Sequence, residues 1–411
     1  MAQVNITLSQ EEILELLQTD RSDAFKVLLQ NSLNAIIEAE SDEKLKAKPY
    51  ERTEERTDSR NGIRERPLNT RLGSIVLNVP RHREQPFHTL IFDNYQRSES
   101  ALISTMAEMV VAGVSTRKVS KVMETICDTS FSKSSVSKAC ERLDSEVEKF
   151  RKRKLEYSYP FVIVDATYFK VREDRKVVSK ALMIAIGISE RGHREVIGVS
   201  AYKNESKETW SMFFEELKYR GLKGVRTITS DAHEGIFYAM MEHFPEVPWQ
   251  RCQYHFSKNI VEKAPKMYRE GLRLELKSMF TAIDLESATK KMNQIATDYR
   301  DVAEKSVECL EKGFIDAMTN LELPEEIRKC VRTSNYLERL NKELKRRSNV
   351  IGIFPNTRSL IRLMTSVLIE QHDKWSTQRR CFFNPGYLKI EKSVIELEKL
   401  AKKQHEHFKA A

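Results

Sequence analysis

The six cysteines of this chain are scattered, and no CxxC pair occurs among them. They are Cys127, Cys140, Cys252, Cys309, Cys330 and Cys381. Disulfide-stapled domains and zinc ribbons need cysteines at close, regular spacing, so this distribution argues against both. It is typical of the reduced thiols of a cytoplasmic protein.

Long apolar runs are also missing. The longest, such as ALMIAIGI from Ala181 to Ile188, fall far below the roughly 18 residues that a membrane-spanning helix needs. The N-terminal stretch MAQVNITLSQEEILELLQ has neither a basic start nor a long apolar segment, so it does not predict a signal peptide. We therefore expect a soluble cytoplasmic protein, associated with the nucleoid if it binds DNA, and no membrane partner.

The chain is moderately basic. Its 411 residues include 69 Lys and Arg against 60 Asp and Glu, which gives a formal charge of +9. A hydrophobic content of 40% is enough for a core, and the length predicts about two to four domains. The charge favours a polyanionic partner such as nucleic acid, although on charge alone an ordinary basic protein fits as well.

The first 70 residues predict two short amphipathic helices within residues 1–40, followed by a charged arm over 41–70. The arm is dense in arginine and poor in apolar residues. Its composition favours a solvated linker, and the alternative is an arm that becomes ordered on DNA.

Residues 71–152 predict a DNA-binding region. An alternating strand, LGSIVLNVPRHR, precedes three helices, with Ser115 and Ser132 as N-caps of the second and third. Two short helices followed by a basic, serine-rich third are typical of a helix-turn-helix, although an ordinary three-helix packing unit is the alternative. The candidate DNA contacts here are Arg117, Lys118, Lys133, Ser134, Ser135, Ser137 and Lys138.

From residue 153 the pattern predicts a mixed α/β (α+β) core. Three strands in a meander lie within 161–202, and helices then alternate with two further strands up to 261. This order differs from the repeated βαβ units of a Rossmann fold. Residues 262–325 contain no candidate strand and predict a helical insertion, 326–376 return to the core, and 377–411 form a charged helical tail.

Two aspartates come directly after apolar segments of this core. Asp165 lies in FVIVDATYF and Asp231 in TITSDAHEG, so we expect the first at the end of the first strand and the second at the end of the fourth. A carboxylate at such a position is costly unless it is compensated, and converging carboxylates commonly bind divalent cations. Hard oxygen ligands favour two Mg²⁺ or Mn²⁺ ions, and in a basic chain this suggests phosphodiester chemistry.

A third acid should come from a helix across the sheet, and Glu338 is the candidate. Asn335, Glu338 and Lys342 share one helical face, whereas Glu343 lies about 140° from Glu338 around the helix. A single Asp after a strand is usually a turn residue, but three acids in this order of elements favour a shared site. The nearby cations that could contact DNA phosphates, together with Asn335, are Arg339, Lys342, Arg346 and Arg347.

Four segments resemble the mutator-type bacterial insertion-sequence transposases, relatives of the plant Mutator element transposase. They are FVIVDATYFKVRE, SDAHEG, WQRCQYHF and ERLNKELKRRSNVIGIFPN, with GVSTRKV and TSFSKSSVSK similar upstream. The likeness extends from about residue 60 to 375. It implies an RNase H-like core with a DDE triad at Asp165, Asp231 and Glu338, and a helical insertion between the second Asp and the Glu.

The same family carries a Cys/Asp-x-x-His motif after the second Asp, which matches Cys252 and His255 here. A structural zinc site needs four ligands, and the sequence offers no second pair. The ordinary interpretation is a buried thiol beside a core histidine, and the alternative is support of the active site or of DNA.

Together these features predict a DNA transposase. It would bind the terminal inverted repeats of its element, cleave their 3′ ends with bound metal and transfer the strands to target DNA. Because two ends must be paired, at least a homodimer is expected. The alternatives are a structure-selective nuclease that does not transpose, or a DNA-binding regulator with an inactive core.

Overall fold

The computed structural model describes residues 21–51, 53–70, 73–89, 100–127, 131–378, 381–383, 385–386 and 392–410. The chain divides into two compact units, Met1–Arg142 and Leu143–Ala411, which are described separately. The first of the two predicted N-terminal helices lies outside the described residues. None of the helices in the described ranges has the length and apolar composition needed to cross a membrane.

The first unit begins with helix α1 (Arg21–Leu45) and an antiparallel hairpin of β1 (Arg60–Thr70) and β2 (Gly73–His82). Ile37 of the helix packs with Leu68 and Leu77 of the hairpin. The prediction that residues 41–70 form only a charged linker is therefore wrong. Arg64 and Glu65 of β1 are exposed while Leu68 is buried, so composition alone concealed a strand whose partner lies further along the chain.

Three short helices complete this unit: α2 (Ser100–Val111), α3 (Thr116–Cys127) and α4 (Lys133–Cys140). They share a small apolar core. Both predicted N-caps are present, since Ser115 Oγ accepts from the Lys118 amide at 3.3 Å and Ser132 Oγ from the Ser135 amide at 3.0 Å. The predicted third helix is interrupted after Cys140 and continues in the second unit as α5 (Leu143–Lys152).

The second unit is built on a mixed five-stranded sheet. Its strands are β3 (Phe161–Glu173), β4 (Lys176–Ile188), β5 (Arg194–Tyr202), β6 (Thr227–Ser230) and β7 (Trp249–Arg251). Their spatial order is β5-β4-β3-β6-β7. The predicted antiparallel meander of the first three strands is confirmed, and so is the pairing of the fourth strand beside the first, which is parallel.

Two helices link these strands, α6 (Lys207–Tyr219) and α7 (Glu234–His243). Ser206 and Thr209 form a capping box that starts α6. The buried face of α6 includes Trp210 and Phe213, both 0% exposed, and the predicted core position of Trp210 is confirmed. Burying a side chain of this kind contributes roughly 1.5–3 kcal/mol, which fixes the helix on the sheet.

The strandless segment is helical, as predicted. It contains α8 (Gln253–Lys263), α9 (Arg269–Phe280), α10 (Leu285–Tyr299) and α11 (Glu304–Ala317), with a 3₁₀ turn at Lys266–Tyr268. These helices bury a core of their own. A further 3₁₀ turn (Thr319–Glu322) and α12 (Glu325–Val331) lead back to the sheet.

Three helices follow: α13 (Asn335–Ile351), α14 (Thr357–Ser376) and α15 (Lys392–Ala410). After α13 ends, the Phe354 amide donates to the Lys170 carbonyl at 2.9 Å, and the Arg172 amide donates to the Phe354 carbonyl at 2.8 Å. These bonds attach the segment after α13 to the distal half of β3. They position α13 beside the sheet at Asp165.

Candidate active site

Asp165 lies on β3, and Asp231 directly follows β6, the parallel neighbour of β3. The pairing of β3 with β6 runs from Phe161 opposite Thr227 to Ile163 opposite Thr229. Each aspartate comes two residues after the last of these pairs, and the two are close enough for the charge of Asp231 to act on Asp165. The prediction that Asp165 ends its strand is wrong, because β3 continues to Glu173 in a long hairpin with β4. Asp165 instead marks the point where the parallel neighbour β6 has ended.

The Asp165 carboxylate is held from two sides. Its Oδ2 accepts a hydrogen bond from Asn341 Nδ2 at 2.7 Å, and its Oδ1 accepts one from the Ala166 amide at 2.9 Å. Burial, with a smaller contribution from the charge of Asp231, raises the pKa of Asp165 to about 7. In the absence of a bound cation, ionising this group is therefore unfavourable.

A fourth acid, Glu205, belongs to the same cluster and was missed by the sequence reasoning. It lies in the loop between β5 and α6, and its amide donates to Tyr168 Oη at 3.3 Å. Burial raises the pKa of Glu205, and the charge of Asp231 acts in the same direction. Its only sequence signal is its position directly before the N-cap Ser206, which by itself does not suggest chemistry.

Glu338 enters from the first turn of α13. Its Oε1 lies 3.8 Å from His255 Nε2 and 3.4 Å from Ser334 Oγ, which can donate to it. Asn341, which binds Asp165, lies three residues further along the same helix and therefore on the same face. Through these two side chains α13 reaches both Asp165 and the start of α8.

The Cys252-x-x-His255 pair adjoins Glu338. Cys252 is fully buried at the start of α8, and its Sγ accepts from the Ser334 amide at 3.3 Å and from Ser334 Oγ at 3.2 Å. A hydrogen bond with Cys252 is the main cause that raises the pKa of His255 to about 9. One potential ligand atom from each of Cys252, His255 and Glu338 falls within 4.8 Å of the others, so Glu338 supplies a third donor beside the predicted pair.

Glu343 does not belong to this cluster. Its carboxylate accepts from Arg346 Nε and from Arg347 Nε, each at 2.7 Å, and these contacts hold the pKa of Glu343 at about 2. Arg346 and Arg347, both predicted as phosphate contacts, pair with Glu343 in the unbound protein. A glutamate one turn before two arginines on a helix forms such pairs readily.

The remaining predicted DNA contacts are exposed. Arg339 and Lys342 on α13 face solvent, whereas the side chain of Asn335 lies outside the described residues. In the first unit the predicted contacts on α3 and α4 are also solvent-exposed: Arg117, Lys118, Lys133, Ser134, Ser135, Ser137 and Lys138. Two of these serines also take part in the cap, since the hydroxyls of Ser134 and Ser135 lie 2.7 and 2.9 Å from Ser132 Oγ.

The chain as a whole matches known proteins. The model of the family described as "Transposase, Mutator family" matches residues 1–378. The transposase for insertion sequence element IS256 in transposon Tn4001 of Staphylococcus aureus is 42% identical over 388 residues, which cover 93% of this chain and 99% of that protein.

Two further relatives are transposases for other insertion sequence elements. That for ISRM5 of Rhizobium meliloti (strain 1021) is 38% identical over 358 residues, 87% of this chain and 90% of the relative. That for IS1081 of Mycobacterium tuberculosis is 35% identical over 384 residues, 93% of this chain and 92% of the relative. The resemblance seen in the sequence motifs is therefore confirmed along nearly the whole chain.

Proposed function

This chain belongs to the Mutator family of transposases, and from that membership and its acidic cluster we propose that it is a DDE transposase acting through Asp165, Asp231 and Glu338. One observation carries the proposal. Two aspartates that are far apart in sequence each come two residues after the last pair between the adjacent parallel strands β3 and β6, and burial together with the charge of Asp231 raises the pKa of Asp165. A helix that follows the insertion brings Asn341 onto Asp165 and brings Glu338 to within 3.8 Å of His255.

The sheet supports an RNase H-like core for this site. An antiparallel three-strand meander is joined on one side by two parallel strands, and the first and fourth strands carry the two aspartates. The helices α9 to α11 form an insertion between the second aspartate and the glutamate.

The donor set suits Mg²⁺ or Mn²⁺. Asp165, Asp231 and Glu338 would hold two ions, with Glu205 as a further oxygen ligand, and a cation would compensate the unfavourable ionisation of Asp165. When bound, such ions supply activation of the attacking oxygen and stabilisation of the leaving oxygen. Asn341 orients Asp165 by donating to Oδ2. His255 lies close enough to Glu338 to hold that carboxylate by charge.

The proposed reaction has two balanced steps. In the first, water attacks a phosphorus at the element end, the bond to the 3′ oxygen breaks, and that oxygen leaves as a 3′-hydroxyl. In the second, this hydroxyl attacks a target phosphodiester, loses its proton, and displaces the target strand's own 3′ oxygen, which is protonated. The first step is a hydrolysis, whereas in the second step one phosphodiester forms as another breaks, so the transfer needs neither an external energy source nor a covalent protein intermediate.

End recognition is assigned to the first unit. The exposed basic residues of α3 and the N-terminal turn of α4 suit contacts with phosphates and bases, in the manner of a helix-turn-helix that reads terminal inverted repeats. Two ends must be held together before transfer, which calls for at least a homodimer on double-stranded DNA.

Two glutamates on one helix provide the test. Purified chain would be incubated with Mg²⁺ and duplex DNA carrying the element's end sequence, using Glu338→Gln and, as a matched control, Glu343→Gln. Losing a metal ligand removes several kcal/mol of transition-state stabilisation, so Glu338→Gln should cleave at least about a hundredfold more slowly. Glu343→Gln should stay close to wild type because Glu343 contacts Arg346 and Arg347 outside the cluster.

Cleavage that survives in Glu338→Gln or in Asp165→Asn would refute the proposed site. Binding of end DNA without any metal-dependent nicking would favour an inactive regulator. Cleavage of branched DNA without transfer to a second duplex would favour a structure-selective nuclease.

A further inference from the structure

A groove of about 720 Å³ opens between α8 and α9. Tyr254, Ser257 and Val261 line it from α8, at spacings of three and four residues that place them on one helical face. Arg273 and Lys277 line it from α9, also four residues apart. The groove is thus built largely from two regular helix faces.

The groove is strongly cationic. Its lining contains five basic side chains and one acid, Glu262; the basic ones are Lys258, Arg269, Arg273, Lys277 and Arg332. Lys258 pairs with Glu262 at 3.8 Å, and Arg273 pairs with Glu270 at 2.6 Å. Within the described part of the chain, Lys277 and Arg332 have no ion-pair partner. The groove therefore keeps positive charge for an anionic ligand.

An exposed aromatic ring stands at one end of the groove. Tyr254 is 48% exposed although it lines the groove, and its ring centroid is 5.5 Å from that of His255. Cations that follow a phosphate backbone beside an aromatic ring that stacks on a base are the features that bind single-stranded nucleic acid. A paired duplex does not suit this site, because its base faces are already stacked on one another.

The start of α8 links the groove to the acidic cluster, because Tyr254 lines the groove and the next residue, His255, lies 3.8 Å from Glu338. His255 faces Glu338 from the same helical turn that carries Tyr254 into the groove. The backbone amide of Gln253 donates to the backbone carbonyl of Arg332 at 3.0 Å, which joins the start of α8 to the segment that precedes α13. A DNA strand that extends from His255 along α8 would therefore reach the groove at Tyr254.

We propose that this groove binds unpaired nucleotides of a DNA strand at the acidic cluster, with a base stacked on Tyr254 and phosphates contacted by Lys277 and Arg332. The inference rests on the proposed function, since it places the end of a DNA substrate at that cluster. It assigns to the helical insertion the task of holding DNA that has been separated from its complement.

Binding can be measured apart from cleavage. Full-length protein in EDTA would be titrated by fluorescence anisotropy with a blunt duplex and with the same duplex carrying a short unpaired thymidine tail. Wild type should bind the tailed DNA more tightly. Tyr254→Ala should weaken binding of the tailed DNA by roughly tenfold and leave the blunt duplex unchanged, because stacking on one base is lost. Tyr254→Phe should retain the preference, and Tyr219→Ala is the matched control, since Tyr219 is 92% exposed on α6.

The phosphate contacts of Lys277 and Arg332 can be tested separately, through the salt dependence of DNA binding. For the tailed DNA, Lys277→Gln and Arg332→Gln should each lower the slope of log affinity against log salt by about 0.7, the value for one phosphate contact on a single strand. Lys312→Gln is the control, because Lys312 is exposed on α11 of the same insertion and does not line the groove.

A direct contact can be located in the wild-type protein, whose fold is not in question. A tail containing 5-iodouracil should crosslink under ultraviolet light to Tyr254. A crosslink elsewhere, an equal affinity of wild type for both DNAs, or an unchanged preference in a folded Tyr254→Ala would overturn the inference. Failure of the proposed function would instead appear as wild-type protein that binds tailed DNA but never cleaves end DNA with Mg²⁺.

Discussion

Replacing Asp165 by asparagine should stabilise the metal-free protein at alkaline pH. Burial raises the pKa of Asp165 from an ordinary 3.8 to about 7, so the folded state binds this proton more tightly than the unfolded state does. Stability is therefore lost as the pH rises from about 4 to 7, and the full penalty persists above pH 7. Asparagine is neutral at every pH and removes this penalty.

The size of the stabilisation follows from the shift in the pKa of Asp165. About three pKa units at 1.36 kcal/mol each give about 4 kcal/mol as an upper bound above pH 7. Asparagine has one carbonyl oxygen, so it keeps only one of the two hydrogen bonds that Asn341 and Ala166 donate, and the loss costs about 1 kcal/mol. A net gain of about 3 kcal/mol corresponds to a rise in melting temperature of about 5–10 °C for a unit of this size.

Tryptophan fluorescence provides a suitable assay, because all three tryptophans of the chain, Trp210, Trp249 and Trp375, belong to the second unit, which contains Asp165. Melting curves in EDTA would be recorded between pH 5 and 8.5. The variant should melt higher than wild type at pH 8, and the difference should disappear or reverse near pH 5. Adding Mg²⁺ should raise the melting temperature of wild type by mass action and leave that of the variant nearly unchanged.

Glu343→Gln is the matched control, and its melting temperature should change in the opposite direction. Arg346 and Arg347 hold the pKa of Glu343 at about 2, so its charge stabilises the folded state above pH 4 and neutralising it should lower the melting temperature slightly. An Asp165→Asn protein that melts below wild type at pH 8 in EDTA would show that the carboxylate is not electrostatically strained. The argument for a cation at Asp165 would then be refuted.

Two further predictions concern the scaffold. Burial lowers the pKa of His372 to about 4, so the unfolded state binds more protons than the folded state between pH 4 and 6.5. The free energy of unfolding therefore falls as the pH drops through that window, by about 2 kcal/mol at pH 5. His372→Phe in the Asp165→Asn background should abolish this loss in the same melting assay. Arg362 donates to both oxygens of Asp144 at 2.6 and 2.9 Å, which attaches α14 to α5. Arg362→Met should therefore destabilise the second unit by about 3–5 kcal/mol in urea unfolding. A urea midpoint unchanged from wild type would contradict the assigned role of the pair.

The apolar runs of the sequence were sufficient to predict the sheet. A strand with both faces buried appears as a continuous apolar segment, and this pattern located β4 within VVSKALMIAIGIS. The pairing of β6 beside β3 also followed, because the meander leaves that edge of β3 free. The two aspartates could be found for the same reason, since each interrupts or follows such a run.

The features that sequence reasoning missed depend on partners distant in the chain. Asp165 is in mid-strand because β4 is long enough to extend the hairpin past the end of β6. Glu205 joins the cluster only because α6 packs across the sheet and brings its preceding loop there. β1 is a strand because β2 pairs with it, although its own composition resembles a linker. No local pattern carries this information.

The choice between the two glutamates of α13 shows how local and tertiary information combine. Spacing on a helical wheel separates Glu338 from Glu343 but does not say which one faces the sheet. The structure adds that Asn341 donates to Asp165, which fixes the rotation of the helix and turns Glu338 toward His255. With that rotation, Glu343 falls among Arg346 and Arg347.

The helix rotation also explains why the acidic cluster depends on a segment far from it. The bonds between Phe354 and the backbone of β3 anchor the end of α13, and Asn341 anchors its middle. If either anchor is lost, Glu338 can rotate away while Asp165 and Asp231 keep their places, since the pairing of β3 with β6 just before them does not involve α13. Loss of the third acid without loss of the first two is therefore the expected failure of this site, and Asn341→Leu should reproduce it in a protein that remains folded.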